Sequence, residues 1–371
     1  MSERLVVCSL ERWDEVWRRN QHLVAGLLRR DPGLEVLVVE PSRDPLHELR
    51  SRRAPGPARG LRVVPGTDGR LRTLQLTKWL PRAAGPTADA LLRRGVRRVV
   101  ARLGWADPLL WVNDPGWAGL VTETGWPTLY DVTDDWLEAV RDARARARLV
   151  AQEATLLREA RAVVVCSPRL AVSKAGERPV TLVPNAVDVE RYRRPAARPA
   201  DLPPPPVAVY VGTLHEDRLD VPLTAATARE LAAVGASLAL VGPDSLSTVS
   251  RDRLLAEPGL RILGPRAYAA VPAYLRHASV LVVPHVVDAF TDSLDPIKLY
   301  EYLAVGRPVV STPVAGFRDA LAPTVTSVPA EAFPRAVREA ALAGLPDRPD
   351  PEVPDWSQRV EQMAEVLAGL R

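Results

Sequence analysis

The stretch that decides the fold reads Asp295-Pro296-Ile297-Lys298-Leu299-Tyr300-Glu301-Tyr302-Leu303-Ala304-Val305-Gly306-Arg307-Pro308-Val309-Val310-Ser311-Thr312. Asp295 is a residue type that caps helices, Pro296 suits the first helical position, and Gly306 suits a helix end. The apolar residues beyond Gly306 form a short run that is typical of a buried strand. The stretch therefore predicts a helix over residues 296–305 that leads directly into a strand.

Two charged residues on this helix point to a nucleotide. Lys298 lies in the first turn, where free backbone N–H groups and the helix dipole already favour a phosphate. Glu301 lies one turn later on the same face, where a carboxylate can accept hydrogen bonds from both hydroxyls of a ribose. The alternative is an ordinary helix start with an intrahelical ion pair between Lys298 and Glu301.

Strand and helix patterns alternate along the chain, twice over. Continuous Val and Leu runs indicate parallel sheets covered on both faces, an α/β fold. The prolines of residues 195–206 interrupt the pattern and predict an extended linker. We therefore expect a first domain over residues 1–194, a second over 207–353, and a last helix within 354–371. The predicted strands are Leu5–Cys8, Val36–Val39, Leu61–Val64, Leu109–Val112, Thr128–Tyr130, Val163–Cys166, Val180–Val183, Val207–Val211, Ser237–Val241, Leu260–Leu263, Val280–Val283 and Val309–Ser311.

Further motifs support the pattern of the stretch 295–312. They are Trp13 to Leu23, Tyr130-Asp131-Val132-Thr133-Asp134-Asp135-Trp136, Val183-Pro184-Asn185-Ala186-Val187-Asp188, Leu240-Val241-Gly242-Pro243 and Leu263-Gly264-Pro265. Together they resemble the GT-B-fold glycosyltransferases, particularly the family 4 type and its relatives similar to teichuronic acid transferases. Ala186 departs from the family pattern, which has glycine there. The resemblance implies two doubly wound, Rossmann-like domains that face a cleft, with a C-terminal helix crossing back to the first domain.

The resemblance also implies where the second domain binds a nucleoside-diphosphate-sugar donor of the UDP, GDP or dTDP type. The ribose is expected at Glu301, and Lys298 and Arg218 are expected to stabilise the departing diphosphate. Many family members carry two glutamates eight positions apart, but Ser293 stands eight residues before Glu301. Asp292 is the substitute predicted for the missing glutamate. The predicted donor-binding residues are Gly212, Thr213, Gly264, Pro265, Arg266, Asp292, Ser293, Leu294, Lys298 and Glu301.

The first domain is expected to receive the acceptor. Asp131 and Asp134 follow a predicted strand, and either can contact the acceptor hydroxyl or act as a general base. The alternative is that Asp134 or Asp135 caps the helix that begins near Trp136. Trp17, Arg19, Trp117 and Trp136 are the predicted acceptor contacts; for the tryptophans, the alternative is packing in the core. No metal site is predicted, because basic residues and helix dipoles stabilise the diphosphate in this fold.

Composition sets the class of protein. The 371 residues suffice for two domains, and the net charge is +4. The N-terminus does not resemble a signal peptide and no apolar run is long enough to span a membrane, so we expect a cytoplasmic protein. Nucleic-acid binding has no supporting motif. Arginine-rich stretches at 93–98 and 141–148 permit peripheral contact with the inner face of a membrane, or are simply solvated helix faces.

The expected function is transfer of a sugar from a nucleoside-diphosphate-sugar to the hydroxyl of a small-molecule, glycan or lipid-linked acceptor. Membership of family 4 would imply retention of anomeric configuration, and no metal is required. One alternative is a nucleotide-sugar 2-epimerase on the same fold, which needs no acceptor. Another is a non-catalytic nucleotide-binding partner of another transferase.

Overall fold

The computed structural model describes residues 3–45, 59–80, 85–140, 142–176, 178–344 and 347–371. The chain forms two compact units. The first unit consists of Met1–Pro184 together with Arg359–Arg371, and the second of Asn185–Gln358. Each unit has its own sheet, and helices alternate with the strands along the chain.

The first unit is built on a sheet to which eight strands of the described residues contribute, in the order β3-β4-β2-β1-β5-β6-β7-β8. All neighbours run parallel except β3 and β4, which are antiparallel. Its central strands are continuous Val and Leu runs that are fully buried, as expected of a sheet covered on both faces. The strands are β1 (Arg4–Cys8), β2 (Glu35–Val39), β3 (Gly60–Val63), β4 (Leu71–Gln75), β5 (Leu109–Val112), β6 (Thr128–Val132), β7 (Ala162–Val165) and β8 (Thr181–Leu182).

Helices connect these strands. Residues 93–98 lie on the second of them and residues 143–148 on the fifth, and most of the arginines there are exposed. Arg141 lies outside the described residues. The helices are α1 (Arg19–Arg30), α2 (Gly85–Arg102), α3 (Ala118–Thr124), α4 (Trp136–Ala139), α5 (Ala143–Glu159) and α6 (Pro168–Lys174).

The second unit has a sheet in the order β11-β10-β9-β12-β13-β14, and every adjacent pair is parallel. Numbered within the unit, this is the order 3-2-1-4-5-6 of dinucleotide-binding folds. The strand order therefore reverses between β9 and β12: successive strands are added on one side of β9 up to β11, and on its other side from β12 onward. The strands are β9 (Val207–Val211), β10 (Ser237–Val241), β11 (Leu260–Gly264), β12 (Val280–Val283), β13 (Val309–Ser311) and β14 (Val325–Ser327).

The helices of the second unit bury apolar side chains on both faces of this sheet. They are α7 (Val189–Arg193), α8 (Val221–Ala232), α9 (Thr248–Leu255), α10 (Val271–Arg276), α11 (Ile297–Val305) and α12 (Phe333–Leu342). The last helix, α13 (Trp356–Ala368), begins in the second unit and continues into the first.

The boundary between the units lies at Pro184 and Asn185, ahead of the proline-rich stretch 195–206. Residues 185–194 belong to the second unit because α7 packs there. Tyr192 of this helix is fully buried in the core of that unit. Proline content marks an extended segment but does not show on which side the preceding helix is buried.

The part of α13 that belongs to the first unit packs against α1. An ideal Cβ on Gly26 would lie 2.2 Å from Cγ2 of Val360, so only glycine permits this approach of the two helices. On the surface beside it, the Arg30 guanidinium lies 2.8 Å from the Glu361 carboxylate. Residues Arg359–Arg371 are therefore part of the first unit.

The sequence patterns miss two strands, β4 and β14. β4 reads Leu71-Arg72-Thr73-Leu74-Gln75, so polar residues interrupt its apolar run, and β14 is a three-residue edge strand. Cys8 and Cys166 are both buried and are not joined in a disulfide. Among the described residues, no helix combines the length and the apolar character needed to span a bilayer.

Candidate functional site

The candidate site of the second unit lies next to β9 and β12, where the strand order of its sheet reverses. In open α/β sheets, ligands bind at the carboxyl ends of the strands at such a point. The loop after β9 supplies Gly212, and the segment after β12 supplies His285. The side chain of Tyr210, near the end of β9, reaches His285, with Oη and Nε2 3.2 Å apart.

Lys298, in the first turn of α11, meets these residues. Its Nζ lies 3.1 Å from the Tyr210 hydroxyl and 3.2 Å from Nε2 of His285. The ammonium also lies 4.2 Å from the centre of the Tyr210 ring, a cation–π contact. Burial first, and the Arg218 charge second, lower the pKa of Lys298 to about 7, while Glu301 opposes the shift. Lys298 is therefore poised between its charged and neutral forms near neutral pH.

Gly212 makes room for this ammonium. Its φ is +154°, and a Cβ added there would lie 2.9 Å from Nζ of Lys298 and 3.0 Å from the Tyr210 hydroxyl. The Gly212 N–H donates to the carbonyl of Val241 at 2.9 Å. The predicted role of Gly212 in donor binding stays a prediction. Thr213, the next residue, is exposed.

His285 was not among the predicted site residues. It is buried, and its pKa lies well below the usual value, because of burial first and then the charges of Lys298 and Arg218. The imidazole is therefore neutral, and its bare nitrogen accepts a hydrogen bond from the lysine. The sequence signal that marks it is its position directly after a fully buried strand and Pro284.

The start of α11 differs from the prediction. The N-cap is Pro296, and no side chain among the described residues caps it. Asp295 does not cap the helix because its carboxylate accepts hydrogen bonds from the Asn185 backbone N–H and, at 2.7 Å, from the Tyr300 hydroxyl. The side-chain amide of Asn185 also donates to the Asp295 carbonyl at 2.6 Å. Asp295 thus ties the 183–188 motif to the helix, whose first turn keeps no side-chain cap.

Glu301 lies one turn along α11 and is partly buried. Its Oε1 accepts a hydrogen bond from the hydroxyl of Tyr192 on α7. Burial raises the pKa of Glu301, whereas the Tyr192 hydrogen bond and the Lys298 charge lower it. The alternative interpretation was an intrahelical ion pair between Lys298 and Glu301. Among the described residues, Lys298 instead forms hydrogen bonds with Tyr210 and His285.

Arg218 follows the Gly212 loop. Its guanidinium carbon lies 5.4 Å from the centre of the Phe290 ring. Its charge lowers the pKa of both Lys298 and His285, so it acts on the same small region. Arg218 therefore lies close enough to Lys298 and His285 to act on both electrostatically.

The predicted donor-sugar residues are engaged in local structure. Asp292 forms an ion pair with Arg318 at 2.7 Å. The Ser293 hydroxyl is buried and donates to the Phe290 carbonyl at 2.7 Å. Leu294 follows a short 3₁₀ turn over Thr291–Ser293, just before α11. Asp292 is thus paired with Arg318, and its role as the substitute for the missing glutamate stays a prediction.

The predicted base-binding residues end β11. Gly264 has φ +77°, and its carbonyl accepts from the Gly242 N–H at 2.9 Å. Pro265 is exposed. The Arg266 guanidinium donates to the Tyr274 hydroxyl at 2.7 Å and forms an ion pair with Asp201. Arg266 is thus held by these two residues.

In the first unit, Asp131 is a buried structural carboxylate, which argues against the predicted acceptor base. It is fully buried and forms a two-pronged ion pair with the buried Arg19, at 3.2 and 3.3 Å. Trp111 and Asn113 donate to the same carboxylate at 3.2 and 3.0 Å. These partners occupy both oxygens, so neither Asp131 nor Arg19 is free to contact an acceptor. Burial of this kind is not readable from the sequence.

The other predicted residues of the first unit divide by burial. Trp117 lies in a 3₁₀ turn, is 6% exposed and packs in the core, as the alternative of core packing predicts. Trp17 and Trp136 are partly exposed, and the Trp17 ring packs edge-on against His22 at 5.1 Å. Asp134 is partly exposed and accepts from the Thr133 hydroxyl at 3.0 Å. Asp135 occupies the N-cap position of α4, but its carboxylate binds Lys174 rather than the helix.

Among the described residues, no cluster of three or more His, Cys, Asp or Glu side chains has the arrangement of a metal site.

Comparisons with known proteins concern the family and the fold. Residues 205–345 match the family model of the glycosyl transferases group 1. A putative teichuronic acid biosynthesis glycosyltransferase, TuaH from Bacillus subtilis (strain 168), is 36% identical over 73 residues. The match covers 19% of this chain and 18% of TuaH, so it spans less than a fifth of this curated relative.

Solved structures match over nearly the whole chain. Sucrose-phosphate synthase from Thermosynechococcus elongatus superposes with a TM-score of 0.68 at 19% identity, covering 99% of both chains. HepE from Anabaena, solved in complex with UDP-glucose, gives 0.63 at 14% identity, covering 99% of both chains. An α,α-trehalose 6-phosphate synthase from Burkholderia multivorans gives 0.63 at 16% identity, covering 100% of this chain and 99% of that one. The chain therefore has the GT-B fold, as the resemblance predicts, and its residues 205–345 are similar to the glycosyl transferases group 1 family.

Proposed function

We propose that this chain is a glycosyltransferase that takes a sugar from a nucleoside-diphosphate donor bound in its second unit. The observation that carries the proposal is Lys298, which lies in the first turn of α11 and whose ammonium is held by the hydroxyl of Tyr210 and the imidazole of His285. A helix start with a lysine in its first turn favours a phosphate group. Relatives support the class of donor, since HepE was solved with UDP-glucose and UDP.

The donor's parts are assigned to separate groups. The diphosphate contacts Lys298, Arg218 and the first N–H groups of α11, and the ribose hydroxyls bind the Glu301 carboxylate. The base lies along Gly264 and Pro265. Arg266 does not contribute its guanidinium, because Asp201 and Tyr274 hold it.

In the reaction, the bond between the anomeric carbon and the diphosphate oxygen breaks, and the acceptor oxygen forms the new bond as it loses its proton. The chain's contribution is positioning and stabilisation of the negative charge that develops on the diphosphate. We propose that Lys298 and Arg218 supply this charge stabilisation without a metal, and that the anomeric configuration is retained, as in family 4. Asp134, Trp17 and Trp136 remain the proposed acceptor-side residues, because they keep some exposure.

The proposal includes the cytoplasmic location expected from the sequence and peripheral contact with an anionic membrane. The candidate surface is the start of α5, where Arg144, Arg146 and Arg148 occupy every second position and are exposed. Anionic lipid attracts basic clusters of this kind by about 1 kcal/mol per residue. We expect the protein to sediment with vesicles of phosphatidylglycerol but not with vesicles of phosphatidylcholine. If it sediments with neither, the proposed membrane contact is wrong.

A ligand panel tests the donor proposal. UDP, GDP, dTDP and their glucose forms are titrated in EDTA, and the melting temperature is followed. A ligand at a hundredfold excess over its dissociation constant stabilises the folded state by about 2.7 kcal/mol. We expect at least one diphosphate to raise the melting temperature. Absence of any response, with or without magnesium, would overturn the proposal.

Two controls sharpen the panel. Lys78→Met removes a lysine of the first unit that pairs with Asp89 at 3.8 Å, and it should respond to the ligand as the wild type does. Lys298→Met should lose most of the response. Turnover of the donor sugar into an epimer without any acceptor would instead identify an epimerase.

A further inference from the structure

The three lysines of the chain differ in their partners. Lys78 pairs with Asp89, and Lys174 binds both Asp135 at 3.1 Å and Glu153 at 3.0 Å. Among the residues that the structure describes, Lys298 has no carboxylate at ion-pair distance, and its hydrogen-bond partners are the neutral His285 and Tyr210. The Lys298 side chain is thus held in place by two neutral groups.

The position of His285 is fixed by the neighbouring strand. Its backbone N–H lies 3.2 Å from the hydroxyl of Thr312, and its carbonyl accepts from the same hydroxyl at 2.8 Å. Thr312 directly follows β13 and is buried. The imidazole also packs edge-on against Tyr210, with ring centres 5.8 Å apart. His285 is therefore a rigid, neutral acceptor for the lysine.

We propose that His285 is the positioning residue of the diphosphate site, because it holds the Lys298 ammonium through a neutral nitrogen and leaves the charge of the lysine to the donor's diphosphate. The inference rests on the proposed function. A carboxylate at this position would hold the lysine equally well but would neutralise it. The sign of the charge at position 285, and not only its hydrogen bond, then determines affinity for the diphosphate.

Proton uptake follows from the same arrangement. The groups that face Lys298 are Tyr210 from β9, His285 after β12, Arg218 after the Gly212 loop, and Glu301 from α11 itself. With a pKa of about 7, Lys298 is largely neutral at pH 8 in the empty site. A bound diphosphate favours the charged form, so binding at pH 8 draws a proton from the solvent.

Two variants of matched shape test the proposal. His285→Gln supplies a neutral acceptor oxygen near the position of Nε2, and His285→Glu places a carboxylate there. Affinity for UDP is measured by calorimetric titration, and the melting temperature of the ligand-free protein is measured alongside. A purely structural role for His285 predicts the same affinity in both variants.

We expect His285→Gln to bind UDP within about threefold of the wild type, and His285→Glu to bind it at least about tenfold more weakly, a difference typical of a charged contact. The ligand-free Glu variant should melt no lower than the Gln variant, because it gains an ion pair with Lys298. Equal UDP affinity of the two folded variants would overturn the proposal.

Proton counting keeps the proposal testable if the Glu variant does not fold. The enthalpy of UDP binding at pH 8 is measured in buffers of different ionisation enthalpy, for the wild type and for His285→Gln. Both should take up protons, since the titrating group is Lys298 and not the imidazole. Uptake that disappears in His285→Gln would assign the proton to His285 and overturn the proposal. Failure of the wild type to bind any nucleoside diphosphate would instead refute the proposed function itself.

Discussion

The hydroxyl of Tyr192 on α7 donates a hydrogen bond to the Glu301 carboxylate on α11, across 109 positions of the chain. Tyr192 is fully buried, and its ring lies 6.2 Å from that of Tyr268. The bond occupies one carboxylate oxygen and fixes the direction of the other. The proposed ribose site is therefore formed by two elements that no local sequence pattern connects.

Changing Tyr192→Phe tests this relationship. Burial already raises the pKa of Glu301, and the Tyr192 hydrogen bond opposes that shift, so its removal raises the pKa further. Because the ionised carboxylate is the form that accepts the ribose hydroxyls, UDP affinity should begin to fall at a higher pH than in the wild type. The loss is about tenfold at the acidic end of the range, as expected for a hydrogen bond to a charged group.

Calorimetric titration of UDP between pH 5 and 8 measures this shift. Tyr274→Phe serves as a control, because the Tyr274 hydroxyl bonds Asp201 and Arg266 rather than Glu301 or Tyr192. An affinity profile of Tyr192→Phe that is lowered equally at every pH would contradict the role of the hydroxyl in ionising Glu301.

Lys298 should reduce the stability of the ligand-free protein below pH 7. Its pKa falls from 10.5 to about 7 on folding, so the folded state holds fewer protons than the unfolded state between these values. Stability therefore rises with pH across this window. We expect Lys298→Met to be more stable than the wild type at pH 6 by about 1–3 kcal/mol, a range reduced because part of the side chain remains in water.

Urea unfolding at pH 6 and pH 10 measures the effect. The advantage of the Met variant should shrink at the higher pH, where the wild-type lysine is neutral in the folded state and begins to lose its proton in the unfolded state as well. A stability difference that is independent of pH would show that the lysine is not titrating as described.

Asp131→Asn should destabilise the first unit rather than remove a catalytic group. The change breaks the buried pair with Arg19 and leaves the guanidinium without its counter-charge. Loss of one partner of a buried ion pair costs about 3–5 kcal/mol. Chemical denaturation should show this loss, and UDP affinity of the remaining folded protein should be unchanged.

Asp134→Asn is the matched comparison, because Asp134 is partly exposed and lies three positions away. Under the proposed acceptor role, it should lower sugar transfer while the melting temperature stays close to that of the wild type. If Asp131→Asn were as stable as Asp134→Asn, the structural role of Asp131 would be wrong.

Much of the fold follows from patterns that the sequence displays directly. Apolar runs such as Val280–Val283 and the helix signals around Gly306 correspond to buried strands and to α11. The two strands that the sequence patterns miss are defined by their neighbours in the sheet. β4 pairs with β2 and β3, and β14 pairs with β13. Tertiary pairing, not local propensity, decides these short segments.

The site is readable only in part, for the same reason. Lys298 and Glu301 lie on one helix face, so their spacing alone brings them together. Their partners Tyr210 and Tyr192 lie 88 and 109 positions away, and no spacing rule links them. Asp131 shows the reverse error, because a carboxylate at the end of a strand is equally suited to a site or to a buried ion pair.

The most direct measurement is calorimetric titration of UDP and of uridine against Lys298→Ala and Glu301→Gln, with Lys78→Ala as the control. The account assigns Lys298 to the diphosphate and Glu301 to the ribose. Lys298→Ala should therefore weaken UDP about tenfold or more and leave uridine nearly unaffected, whereas Glu301→Gln should weaken both. Wild-type affinity for UDP in both variants, with the control unchanged, would contradict the assignment of the donor site to α11.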